Sequence, residues 1–146
     1  MKLAEVLFEK GTRVHMAHES DPVLSAVETL VSHNIGALAI LDTSDRLVGI
    51  FSERDILRLI SRNAGELVKL KVGEFMTRDV ITGKPDDTVD EAMATMTSHR
   101  IRHLPVVNHS GLVGMISIGD LVKARLDETE YHKQQMENLV LGRYPA

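Results

Sequence analysis

At 146 residues with 43% hydrophobic content, the chain is long enough to fold as one compact body with a substantial core. Its 17 basic and 21 acidic residues leave a net charge of −4, so no global positive field draws it to DNA or to a membrane surface. Three Phe, two Tyr and no Trp leave few stacking platforms for nucleic-acid bases, and the lack of cysteine excludes disulfides, thiolate metal sites and a cysteine nucleophile.

Residues 1–10 are interrupted by charge and lack the apolar centre of a signal peptide, and no stretch reaches the ~20 apolar residues that span a bilayer. The expectation is a soluble cytoplasmic protein. A short amphipathic turn, Leu3-Ala4-Glu5-Val6-Leu7, precedes an extended piece around residues 13–16. Val23, Ala26, Val27, Leu30 and Val31 then recur at helical spacing, with Asp21 as the expected cap and Pro22 at the first helical position. Two aliphatic runs, residues 37–41 and 47–51, flank turn residues 42–46 and read as hairpin strands. A helix through residues 55–60 comes next, before a break at residues 62–65.

The same order then returns. Val72-Gly73-Glu74-Phe75-Met76 is a second amphipathic turn, and residues 79–82 are a second extended piece. Val89, Ala92, Met93 and Met96 form a helical stripe, started by a capping box of Thr88 and Glu91. Residues 104–108 and 112–116 flank His109-Ser110-Gly111 as a second hairpin, in which Pro105, lacking an amide hydrogen, belongs at a strand start or edge. A helix through residues 120–126 closes the unit. Residues 128–141 continue in helix formers until Gly142 and Pro145, and Met136, Leu139 and Val140 are too few for a separate core. That segment is expected to cap the pair or to pack on a neighbouring subunit.

This is an internal duplication. Asp21 falls on Asp87, an offset of 66, and Val, Ala, Thr, Ser, His and Ile recur in phase through Ile35 and Ile101. With one residue fewer in the second hairpin, Gly49-Ile50-Phe51-Ser52-Glu53-Arg54-Asp55 falls on Gly114-Met115-Ile116-Ser117-Ile118-Gly119-Asp120. A repeated unit with several apolar faces buries them by packing on its twin, and the crevice between twins suits a ligand. The expected division is a first repeat over residues 1–65, a linker and second repeat over 66–127, and a helical tail over 128–146.

The two Gly-hydrophobic-x-Ser-x-x-Asp segments resemble the signature of cystathionine-β-synthase-type (CBS) domains. So do His99-Arg100-Ile101-Arg102-His103-Leu104-Pro105-Val106-Val107 and Thr88-Val89-Asp90-Glu91-Ala92-Met93 upstream. The resemblance covers roughly residues 2–126 and implies an α/β (α+β) fold: two β-α-β-β-α repeats packed as a pseudo-twofold pair. It is strongest toward small bacterial stand-alone pairs. Such pairs bind adenosine-containing ligands (AMP, ADP, ATP, S-adenosylmethionine, NAD(H)) in clefts between the repeats and commonly form homodimers.

The resemblance also assigns roles. Asp55 and Asp120 accept from the ribose 2′- and 3′-hydroxyls, since an ionised carboxylate offers two acceptor oxygens. Ser52 and Ser117, where a strand enters a helix, meet phosphate or sugar oxygens. Arg102 and His103 neutralise phosphate, with Arg100 and Arg54 as second choices, while Thr82 and Pro105 belong to the ligand-contacting segments of the second repeat. Met16, Ala37 and Ala39 stand where the second repeat has Thr82, His103 and Pro105, so the two clefts are not expected to be equally occupied.

Plainer readings compete. Asp55, Asp120, Ser52 and Ser117 also suit helix starts, and Arg54, Arg58 and Arg62 read as a solvated stripe with only Arg54 near the motif. His99 with His103 and His15 with His18 have metal-ligand spacing, but the helix is expected to end before His103. Neither serine has a nucleophile elbow or a base partner, and the glycines match no phosphate loop or dinucleotide fingerprint. The expected function is therefore a non-catalytic adenine-nucleotide sensor acting on an unidentified partner protein. The alternative is a constitutive scaffold with non-functional clefts. Nucleic-acid binding through the local Arg/His cluster is weaker still.

Overall fold

The computed structural model describes residues 1–11, 14–62 and 67–142. Arg13, the break at residues 63–65 and Pro145 lie outside them. The elements are α1 (Leu3–Lys10), β1 (Met16–His18), α2 (Val23–His33), β2 (Ala37–Leu41), β3 (Leu47–Ser52), α3 (Glu53–Arg62), α4 (Val72–Phe75), α5 (Val89–His99), β4 (His103–Asn108), β5 (Gly111–Ser117) and α6 (Ile118–Val140). This is the expected mixed fold of two repeats with a C-terminal helical extension.

Each hairpin is antiparallel, with Ala39 opposite Ile50 and Pro105 opposite Met115. In the first half β1 adds a parallel strand beside β2. The extended piece expected at residues 79–82 forms no such strand. Its counterpart is a single parallel bridge between Gly83 and Val106. Pro105 is the cause: at the matching position the Ala39 amide donates to the His15 carbonyl at 3.4 Å, and a proline has no hydrogen to give. Only the bonds around Gly83 survive, from its amide to Pro105 O and from the Val107 amide to its carbonyl, both 2.9 Å.

The helix ends obey local chemistry. Thr88 and Glu91 form the expected capping box on α5. At α2 the expectation fails by one residue, because Pro22 itself holds the N-cap position and Asp21 accepts from the His18 amide at 2.9 Å, closing the preceding turn. Asn34 and Arg100 end α2 and α5 in the left-handed region, at φ 51° and 54°. The next amides, of Ile35 and Ile101, return to Leu30 O and Met96 O. The closing helix and the C-terminal segment are one helix, α6, since nothing between Leu126 and Glu128 breaks it.

There are two cores, and each borrows from the other repeat. Val23, Ala26, Leu30, Leu38, Ile40, Phe51 and Leu59 pack with Val72 and Met76, which belong to the start of the second repeat. Val89, Met96, Leu104, Val106, Ile116 and Leu121 pack with Leu3, Val6 and Leu7 from the start of the first. The exchange is pinned by backbone. Val72 N–H donates to Asp21 O and Val23 N–H to Leu70 O, while Leu3 N–H donates to Asp87 O and Val89 N–H to Met1 O, all within 2.8–2.9 Å.

Two glycines make room for the borrowed helices. A Cβ at Gly49 would stand 2.5 Å from Met76 Sδ, and one at Gly114 would stand 2.5 Å from Leu7 Cδ2. Exposed apolar side chains remain on α3 (Leu57, Ile60), on the first half of α6 (Val122, Leu126) and on its second half (Tyr131, Met136, Leu139, Val140). No helix among the described residues is long and apolar enough to cross a membrane.

Candidate functional site

The junction of β3 and α3 is built by Asp55. Its Oδ2 accepts from the Ser52 amide at 2.9 Å and the Ser52 hydroxyl at 3.2 Å, and its Oδ1 accepts from the Thr77 hydroxyl at 3.0 Å. Asp55 is 4% exposed and is the one buried charged residue among those described. Three hydrogen bonds satisfy its oxygens where water is largely excluded. Thr77 is held by its own backbone, which exchanges two bonds with Ile50 at 2.8 and 3.0 Å.

Asp55 lines a cleft of about 420 Å³ between the two halves. The first repeat supplies Ser52, Glu53, Arg54 and Arg58; Thr77, Asp79 and residues 80–81 come just after the borrowed helix; Arg102 and His103 come from the second repeat. A shallower groove of about 290 Å³ adjoins it, lined by Arg54, Arg100 and Arg102 beside Met96 and Ile118. Arg54 crosses between the repeats, its Nη1 donating to Arg100 O at 3.2 Å.

The His103 ring lies against Gly36 of the first repeat, so closely that a Cβ there would stand 3.0 Å from its Cε1. Burial lowers the His103 pKa; Glu53 and Asp120 pull it up, and Lys10 and Arg102 push it down. The imidazole is thus biased toward its neutral form in a nest of mixed charge.

The second junction, between β5 and α6, repeats the first with a different partner. Ser117 and Asp120 form a reciprocal capping box, with bonds of 2.8 and 3.1 Å. Where Asp55 meets a hydroxyl, Asp120 meets the Lys10 ammonium at 2.6 Å, and Lys10 also donates to Met115 O at 2.8 Å. Burial works against ionisation of Asp120. The Lys10 and Ser117 bonds outweigh it and hold the carboxyl below its ordinary range.

Among the residues singled out from sequence, Ser52, Arg54, Asp55, Arg102 and His103 meet in the larger cleft, and Arg100 lines the adjoining groove. Ser117 and Asp120 sit together at the second junction. Thr82 is exposed and Pro105 is buried in β4; neither lines either cavity. The threonine in the larger cleft is Thr77, signalled only by its place directly after Met76, the residue that aligns with Leu7. Arg58, Glu53, Asp79 and Lys10 were also missed as cleft or junction residues. The histidines with metal-like spacing go elsewhere. His15 stacks on His33, His18 lies 3.5 Å from Asp45, and His99 bonds Thr95 O. No group of three or more His, Asp or Glu among the described residues is arranged for a metal.

A family model described as "CBS domain" matches residues 11–62 and again 72–127. A curated relative, the mitochondrial CBS domain-containing protein CBSX3 of Arabidopsis thaliana, is 39% identical over 128 residues, covering 85% of this chain and 62% of its own length. The chain therefore spans less than two thirds of that relative. Among solved structures, the CBS-domain protein ATU1752 of Agrobacterium tumefaciens superposes with a TM-score of 0.81 at 35% identity, covering 85% of this chain and 92% of its own. The CBS domain pair of protein MJ0100, in complex with 5′-methylthioadenosine and S-adenosyl-L-methionine, superposes with a TM-score of 0.75 at 30% identity, covering 85% and 98%.

Proposed function

The chain belongs to the CBS-domain family, and from that premise we propose that it is a non-catalytic adenine-nucleotide sensor whose ligand binds in the cleft beside Asp55. The observation that carries the reading is the buried Asp55 carboxylate, facing a cleft built from both repeats and rimmed by Arg54, Arg58 and Arg102. Oδ2 already accepts two bonds and Oδ1 one, so a ribose binds by replacing the Thr77 or Ser52 hydroxyl with its own. The guanidiniums then face the 5′ substituent, which favours phosphate-bearing ligands (AMP, ADP, ATP, NAD(H)) over S-adenosylmethionine. The ligands bound to the MJ0100 pair support the adenosine part of this reading.

Because the cleft draws side chains from both repeats, a ligand that prefers one relative placement of the halves shifts the population toward it. Exposed Leu57 and Ile60 on α3, with Val122 and Leu126 on α6, support a homodimer that passes the shift to a regulated partner protein in the cytoplasm. Calorimetric titration of ligand-free protein with AMP, ATP, NAD(H) and S-adenosylmethionine tests the reading. Binding of at least one tighter than about 1 mM is expected, and failure of all four overturns it. The apolar residues on the distal half of α6 favour a second reading, a constitutive interaction module. It predicts no gain in melting temperature with nucleotide, whereas a sensor gains about 2.7 kcal/mol at a hundredfold excess over its dissociation constant.

A further inference from the structure

The two halves present the same carboxylate but hold it with different chemistry. Thr77 performs two tasks beside Asp55: its amide donates to Ile50 O and its hydroxyl donates to Oδ1. In the other half one ammonium does both, since Lys10 Nζ donates to Met115 O, the counterpart of Ile50 O, and to Asp120. The cause lies in helix length. Met76 and Leu7 cover equivalent glycines, but α4 ends and Thr77 comes at once, whereas α1 runs on for three more residues and delivers Lys10.

The two carboxylates therefore differ in what a ribose must displace. At Asp55 a ribose hydroxyl exchanges for a threonine hydroxyl, one neutral donor for another. At Asp120 it must break a charge-assisted bond, roughly twice as strong as a neutral one, and separate an ion pair that is partly shielded from water. The flanking groups differ in the same sense, because Glu53 and Arg54 are matched by Ile118 and Gly119, which add no polar side chain for a ligand.

We propose that Lys10 is a built-in latch on Asp120: a ribose-bearing ligand occupies the Asp55 half and is kept from the Asp120 half while Lys10 stays in place. The inference deepens the proposed function and rests on its ribose reading of the two carboxylates. It assigns the inequality of the halves to one side chain.

Calorimetric titration of the full chain with AMP reads the stoichiometry. One AMP per chain is expected for the wild type and for Lys10→Arg, which keeps a cation. Two are expected for Lys10→Met, returning to one in Lys10→Met/Asp120→Ala. Two sites in the wild type, or one in both the wild type and Lys10→Met, overturns the latch and leaves the ribose reading of Asp55 standing. No AMP binding by any of the four proteins removes that reading and the latch together. One measurement needs no variant. On adding one equivalent of AMP to the wild type, the backbone amide resonances of Ser52 and Asp55 should shift while those of Ser117 and Asp120 stay put; equal shifts overturn the latch.

Discussion

Asp55 and Asp120 stand at the same point of two copies of one motif, yet they live in different surroundings. Asp55 is buried, holds three bonds from neutral donors and faces the larger cleft; Asp120 is half-buried and paired with a cation carried in on a longer helix. Duplication copies a motif, but each motif is completed by a segment from the other repeat. Those completing segments, α1 in one case and α4 with Thr77 in the other, have diverged in length. A recurring Ser-x-x-Asp therefore does not by itself make two equal sites.

The comparison breaks most readily at the carboxylates. Asp55→Ala should cost roughly 3 kcal/mol of stability, because it removes three bonds to a charged acceptor and leaves the Ser52 amide without its partner. In a chain of this size that lowers the melting temperature by about 6–12 °C, and nucleotide binding should be lost with it. Asp120→Ala should cost less, about 1–2 kcal/mol: the Ser117 amide loses its partner, but Lys10 returns to water once freed. Equal losses in urea titration would show that the two junctions are energetically alike after all.

The glycines give the next effect. Gly49→Ala should destabilise by about 2–3 kcal/mol, because the added methyl meets both Met76 Sδ and, at 3.0 Å, the Thr77 carbonyl that the Ile50 pairing holds in place. At Gly114→Ala the nearest atoms are those of the flexible Leu7 side chain, and the change should cost about 1–2 kcal/mol. Thr77→Val is the finer probe. It should cost about 1 kcal/mol by stripping one donor from Asp55, whereas a methyl-for-hydroxyl change at exposed Thr82 should leave thermal unfolding unmoved.

The smallest effect is with pH. His103 has a folded pKa depressed below its ordinary 6.5, mainly by burial, so the unfolded chain binds that proton first. Its stabilising contribution is complete above 6.5 and is lost as the pH falls from there through the folded value. The depressed Asp120 behaves in the same direction at lower pH, its contribution being present above 3.8 and lost below it. Melting temperatures measured from pH 8 to pH 5 should drift down, and His103→Gln should flatten the drift. An unchanged slope would show that His103 is as well solvated in the folded chain as in the unfolded one.

Much of the fold was legible because it rests on short-range rules. The capping box at Thr88 and Glu91 and the two hairpins are local, and they appear where expected. What escaped was set by contacts between distant residues. The strand at residues 79–82 was lost to a proline some two dozen positions away, and nothing local to Thr82 announces that. Lys10 lies in the last turn of α1, and only its arrival at Asp120, 110 residues later, gives it a role. Thr77 was overlooked for the same reason, since its partner belongs to the preceding repeat.

The crossed helices also decide how this chain tolerates cutting. A protease that clips ahead of Gly11 would strip Leu3, Val6 and Leu7 from the hydrophobic interior around Met96 and Ile116, so the wound opens in the half that lies later in the sequence. Severing the linker between the repeats, by contrast, leaves two fragments that each carry the plug the other needs, and mixing them should restore the whole.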